Sequence, residues 1–240
     1  MTNQLFINNE FIESNSNETM DVINPATGEK IDTITFATKD EVNQAIEKSK
    51  QAQLEWEKIP QPTRAEHVKL LIPLFEQNKD ELAQLYVKEQ GKTLAEAQGE
   101  IDKSIQFIDY MTSLSMSNKG EVLQNSVENE TIQLTKKPIG VTAGIVPWNA
   151  PILVLLRKVI PAIVTGCSVV IKPSEETTLL TLRLAQLFKA STIPAGLVQI
   201  VPGKGETVGT QLAQHKDIQL ISLTGSMRAG KAVFENAAST

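Results

Sequence analysis

Cysteine occurs once in this chain, at Cys167, so neither an intramolecular disulfide nor a cysteine-rich metal site can form. Histidine occurs only as His67 and His215, and no metal-ligand spacing emerges from them. The 23 Lys and Arg are scattered without basic blocks against 28 Asp and Glu, a formal net charge of −5, which argues against a nucleic-acid partner. Long hydrophobic runs are missing too. The longest, 159-VIPAIVTGCSVVI-171, is interrupted by Pro161, Gly166 and Ser168 and falls short of the roughly 18 residues that suggest a membrane span. The opening MTNQLFINNEF has neither a basic start nor a long apolar segment, so no signal peptide is expected and the cytoplasm is the default compartment.

What is present suits a globular α/β protein: 240 residues, 41% of them hydrophobic, fill one large domain or two small ones. Residues 4–12 read as two short strands around Asn8-Asn9, and 20–36 as two more around Pro25-Ala26-Thr27-Gly28. Three helices are expected next. Thr38 with Glu41, Thr63 with Glu66 and Thr93 with Glu96 each have the spacing of a reciprocal cap ahead of an apolar stripe, and Gly91 suits the stop before the third. Residues 120–138 then spell a projecting hairpin around Glu128-Asn129-Glu130.

From Gly140 onward strands and helices alternate. The strands 140–146, 168–172, 197–201 and 218–223 precede helix-length segments beginning near 152, 177, 205 and 226. Short β-branched strands in such alternation predict a Rossmann-like parallel sheet with flanking helices, whose ligands sit at the carboxyl ends of the strands. Those ends read Pro147-Trp148-Asn149, Lys172-Pro173-Ser174-Glu175, Pro202-Gly203-Lys204-Gly205 and Thr224-Gly225-Ser226.

Taken singly, each end has a plain alternative. The stretch 203-GKGETVG-209 carries one residue too many for G-x-G-x-x-G and reads equally as an ordinary loop and helix start. Lys172 and Glu175 have the spacing of a surface ion pair. The stretch 225-GSMRAGK-231 spells a nucleoside-triphosphate loop until Ala232, which stands where a magnesium-binding hydroxyl belongs, so phosphoryl transfer is disfavoured. What survives is a tight turn at Gly225 and a helix start at Ser226 suited to a pyrophosphate.

Together, G-I-V-P-W-N-A-P (144–151), V-V-I-K-P-S-E (169–175), G-K-G-E-T-V-G (203–209), L-T-G-S (223–226) and N-P-A-T-G-E (24–29) resemble the NAD(P)⁺-dependent aldehyde dehydrogenases, in order and spacing. The likeness runs over essentially the whole chain and is greatest to the lactaldehyde and glycolaldehyde dehydrogenase branch. It implies oxidation of a small aldehyde to a carboxylic acid. By carry-over, Asn149 would donate to the developing oxyanion, while Val146, Pro147 and Trp148 would line the cofactor cleft. Lys172, Ser174 and Glu175 would hold the adenosine ribose, Gly205 and Gly209 would admit the adenine side, and Thr224, Gly225 and Ser226 would meet the pyrophosphate. Glu175 favours NAD over NADP, although Lys172 and Ser174 leave NADP open.

The resemblance also implies a division into N-terminal hairpins and helices (1–119), an oligomerisation-type hairpin (120–138) and a dinucleotide-binding βα portion (139–240). Two family motifs, E-L-G-G-K with the general base and a G-Q-x-C-type loop with the nucleophile, are absent from these residues, which hold no Gly-Gly dipeptide. Cys167 leads into a strand, matches no chemical position of the family and reads as a structural thiol. The chain is therefore expected to be a truncated coenzyme-binding portion, inactive alone, that self-associates through the 120–138 hairpin. The other reading is a non-catalytic NAD-binding or interaction module that pairs with a full-length homologue.

Overall fold

The computed structural model describes residues 4–117 and 119–238. Its centre is a six-stranded sheet with the order β10-β7-β8-β9-β1-β2, formed by β1 (Gln4–Ile7), β2 (Glu10–Glu13), β7 (Val141–Ile145), β8 (Ser168–Lys172), β9 (Val198–Ile200) and β10 (Ile218–Leu223). The four later strands are mutually parallel, as their alternation with helices predicts. The first hairpin goes further than a local one. β1 pairs antiparallel with β9 at Phe6↔Ile200, so the sheet is mixed, and the Asn8 amide donates to Gln199 Oε1 at 2.7 Å. Asn8 and Asn9 turn this hairpin with φ of 53° and 63°, a left-handed region that asparagine tolerates. The second expected pair is β3 (Thr19–Ile23) with β4 (Lys30–Thr35), a separate two-stranded sheet.

Successive residues of the central strands feed opposite faces. Phe6, Val169, Ile171, Val198 and Ile200 join one core with the helices α2–α7, whereas Leu5, Ile7, Val141, Ala143 and Val170 pack against α1 and the 205–213 segment. The helices that cover the first face are α2 (Gln61–Lys69), α3 (Leu71–Gln77), α4 (Lys79–Gln90), α5 (Leu94–Ser113), α6 (Pro151–Thr165) and α7 (Thr178–Ala190). The opposite face carries α1 (Lys39–Trp56) and the short α8 (Thr210–Ala213), and α9 (Met227–Ala237) closes the described chain.

Two of the three expected helix caps form. Thr38 Oγ1 accepts from the Glu41 amide at 3.3 Å while Glu41 Oε2 accepts from the Thr38 amide at 2.7 Å, and Thr93 with Glu96 repeats the exchange. The Thr63 cap does not form. Its helix begins at Gln61 behind Pro60, with Pro62 in its first turn, where a proline's fixed φ and missing N–H cost nothing. The single helix expected from there to Gly91 is three, α2 to α4. Pro73 has no amide to offer the Lys69 carbonyl, so the helix breaks at Leu70, which is half exposed instead of part of the stripe. Gly91 does end α4, with φ of 80°.

The hairpin of β5 (Glu121–Leu123) and β6 (Ile132–Leu134) forms as spelled, with Asn129 at φ 66° near its tip. Val122, Leu123, Val127, Ile132 and Leu134 are all exposed on it. No helix among the described residues is long and apolar enough to cross a membrane, and those residues contain no metal-binding group of His, Cys, Asp and Glu.

Candidate functional site

The chain runs β7, β8, β9 outward on one side and then returns to place β10 on the other side of β7. The helices change faces at the same point: α6 and α7 lie on the first face, the 205–213 segment on the second. Such a reversal opens a crevice beyond the strand ends. There the structure has a cavity of about 570 Å³ that brings together Ile145 from β7, Leu223 from β10, and Glu175, Gly205, Gly209 and Ser226, with Glu206 and Arg228 at its walls.

The glycines at and beside this wall differ from those packed under the strand ends. A Cβ on Gly203 would stand 2.2 Å from Val208 Cγ2, and one on Gly144 would strike Ile171 and crowd Lys158, so packing requires glycine at both. Gly205 has nothing within 4 Å of such a Cβ, Gly209 meets only Lys172 Cδ at 3.8 Å, and Gly225 only Ala229 at 3.7 Å. None of the three has a positive φ, and the chain bends at Gly225 just ahead of α9. The fold leaves these side chains out without needing to, and what they leave is open space beside the cleft. Residues 205–209 form one wide π-type turn and α8 is only four residues, shorter than the helix expected there.

Lys172, 3% exposed, donates to the Pro173 carbonyl at 2.8 Å and lies 3.4 Å from Glu175. Burial lowers its pKa, and Glu175 and Glu206 oppose that shift. Ser174 caps the turn that follows, accepting from the Glu176 amide at 3.4 Å. Ser226 caps α9 by accepting from the Ala229 amide at 3.2 Å, which leaves the first amides of that helix without intrahelical acceptors. Gly230 and Lys231 lie inside α9, and Lys231 faces Glu235 at 3.7 Å, so the phosphate-loop spelling has no loop behind it.

The β7 end is arranged differently. Val146 is buried and its amide donates to the Lys172 carbonyl at 3.1 Å; Pro147 is half-buried. Trp148, 55% exposed, borders a second cavity of about 410 Å³ with Met20–Ile23, Glu89 and Glu175–Thr177, so the structure does not bring it into the cavity of Gly209 and Ser226. Glu175 is the residue common to both. Asn149 is exposed, and its carbonyl accepts from Lys92 Nζ at 3.1 Å. Lys92 is held by Glu100 Oε2 at 2.7 Å, while Glu100 Oε1 accepts from the Leu153 amide in the first turn of α6. This buried carboxylate thus ties the end of the Trp148-Asn149 turn to the start of α6.

One group escaped the sequence reading. Lys158 on α6, 8% exposed, crosses β7 where Gly144 leaves room and donates to Ser222 Oγ and Thr224 Oγ1, both at 3.0 Å. Burial pushes its pKa down to about 8. A lysine in the apolar run 151–165 was the available signal, but Arg157 beside it carries the same charge and is exposed.

The chain belongs to a family of redox enzymes. Residues 11–240 match the Aldehyde dehydrogenase family, and the chain is a member of it. Malonate-semialdehyde dehydrogenase 1 of Geobacillus kaustophilus is 38% identical over 233 residues, which cover 97% of this chain and 48% of that protein. Lactaldehyde dehydrogenase of Escherichia coli is 35% identical over 234 residues, 98% of this chain and 49% of the other. A solved betaine aldehyde dehydrogenase point mutant from Staphylococcus aureus, in complex with NAD⁺, superposes with a TM-score of 0.95 at 32% identity over 99% of this chain and 49% of its own. The chain therefore spans about half the length of the relatives it matches.

Proposed function

We propose that this chain is the NAD⁺-binding portion of an aldehyde dehydrogenase, with NADP⁺ a weaker ligand. The observation that carries the reading is the cavity at the sheet's reversal point, whose wall presents bare backbone at Gly205 and Gly209 although a Cβ would meet no clash at either. Its size and chemistry fit an adenosine and the start of a pyrophosphate: a carboxylate, Glu175, for a ribose hydroxyl, open backbone at Gly205 and Gly209, and the free amides of α9 behind Ser226. Lys172 steadies Glu175 from below. Val146, Pro147, Trp148, Thr224 and Gly225 line the route from there toward Asn149.

The bound dinucleotide supplies the hydride acceptor. When a nucleophile from outside these residues adds to a small aldehyde, Asn149, whose backbone is fixed through Lys92 and Glu100, supplies a side-chain amide N–H to the oxygen on which negative charge develops. A nucleophile is not provided by Cys167, which is buried at the start of β8, so these 240 residues alone bind coenzyme without oxidising aldehyde. We divide the chain as before into 1–119, 120–138 and 139–240. The exposed apolar hairpin of the middle segment serves self-association, or pairing with a full-length relative. Calorimetric titration with NAD⁺, run beside an aldehyde-dependent NADH assay, tests the reading. Saturable binding with no NADH formed supports it, and absence of binding by folded chain removes it.

A further inference from the structure

The mouth of the Glu175 cavity carries charge that the strand ends do not account for. Glu206, in the first turn after Lys204, lines the cavity beside Glu175. Lys204 precedes Gly205 directly, yet its ammonium is committed elsewhere. It is ion-paired with Glu18, from the segment before β3, and stands 5.9 Å from the centre of the Phe36 ring. Glu18 borders a different groove, with Ser16, Thr38, Thr207 and Gln211, along a neighbouring face of the same turn. The Glu18 hydrogen bond is the main cause of a raised Lys204 pKa, and Glu206 and Glu175 add to it from farther away. Lys204 is thus joined directly to the cavity wall at Gly205 and Glu206, while its ammonium is bonded to a carboxylate that lies outside.

We propose that the Glu18–Lys204 ion pair is a coenzyme-selectivity latch. By holding the ammonium outside the cavity it leaves Glu175 and Glu206 facing the ribose edge with Arg228 across the cavity and buried Lys172 as the cations that oppose them, and so disfavours a 2′-phosphate on the adenosine. The proposal rests on the reading of this cavity as an adenosine site. Lys204 is the one cation of the 203–209 turn, and release from Glu18 gives it a dianion to pair with if the ribose carries that phosphate. Both partners are about half exposed, so the pair contributes little to folding and its loss is tolerated.

The experiment measures dissociation constants of 5′-AMP and adenosine 2′,5′-bisphosphate by calorimetry for the wild-type chain, Glu18→Gln and the double variant Glu18→Gln/Lys204→Ala. The wild type is expected to prefer 5′-AMP. Glu18→Gln is expected to shift the ratio of the two constants toward the bisphosphate by about three- to ten-fold, less at high salt, with 5′-AMP affinity nearly unchanged. The double variant is expected to lose that shift. A ratio unmoved by Glu18→Gln, with 5′-AMP still bound, overturns the latch and leaves the cavity's assignment standing. A shift that survives removal of Lys204 also overturns it, because carboxylate removal alone then explains the gain. If folded wild-type chain binds neither nucleotide, the adenosine assignment fails and the latch with it.

Discussion

The Lys172 ammonium lies 3.4 Å from the Glu175 carboxylate, a buried cation beneath an acid that lines two cavities at the strand ends. Burial works against the charge on Lys172 and Glu175 works for it. Glu175→Ala removes the ribose acceptor and Lys172→Ala the support beneath it. Each is expected to weaken NAD⁺ binding about ten- to hundred-fold, the range of one charge-assisted hydrogen bond, in calorimetric titration.

Gly209 separates folding from binding. Its φ and ψ of −62° and −45° are helical, and a Cβ there makes only an ordinary contact with Lys172. Gly209→Ala is therefore expected to stabilise the chain by about 0.5–1 kcal/mol in urea unfolding while reducing NAD⁺ affinity. Affinity that does not fall in the stabilised variant would place the ligand elsewhere.

Glu89 gives stability a pH dependence of known sign. Its carboxylate oxygens accept from the Leu179 and Leu180 amides at 2.7 Å each, yet burial outweighs those bonds and pushes its pKa up to about 8. Between the ordinary carboxylate value and about 8 the folded chain keeps a proton that the unfolded chain has lost, so this contribution is full at low pH and disappears as pH rises through about 8. The Tm of the wild type, measured against Glu89→Gln, is expected to fall as pH goes from about 5 to about 8.

The β5–β6 hairpin exposes Val122 at 71% and Leu134 at 50%. Lysine at either position puts charge on the exposed hairpin without touching the core. Val122→Lys and Leu134→Lys are expected to lower the mass seen by light scattering at high protein concentration while leaving the circular dichroism spectrum unchanged.

The strands of the second half were legible because each β-branched run ends in a polar or glycine turn that no helix could absorb, and β8 matches its expected bounds at Ser168 and Lys172. The Thr38 and Thr93 caps were legible for the same local reason. Thr63 misled because the spacing of a cap says nothing of a helix that has already begun two residues earlier, at Gln61 behind Pro60. Pairing of β1 with β9 joins Phe6 to Ile200, a contact no local pattern encodes. The candidate site divided likewise. Glu175, Gly205, Gly209 and Ser226 lie on turns whose spelling carried the family likeness, and they meet in one cavity. Lys158 and the Glu18–Lys204 pair depend on which side chains cross between elements, and only the fold decides that.

The most direct test of the central claim follows backbone amide shifts of ¹⁵N-labelled chain during titration with NAD⁺. Saturable shifts concentrated at Glu175, Gly205, Gly209 and Ser226 are the predicted result. Saturable shifts confined to residues away from these turns, or none at all in folded chain, would contradict it.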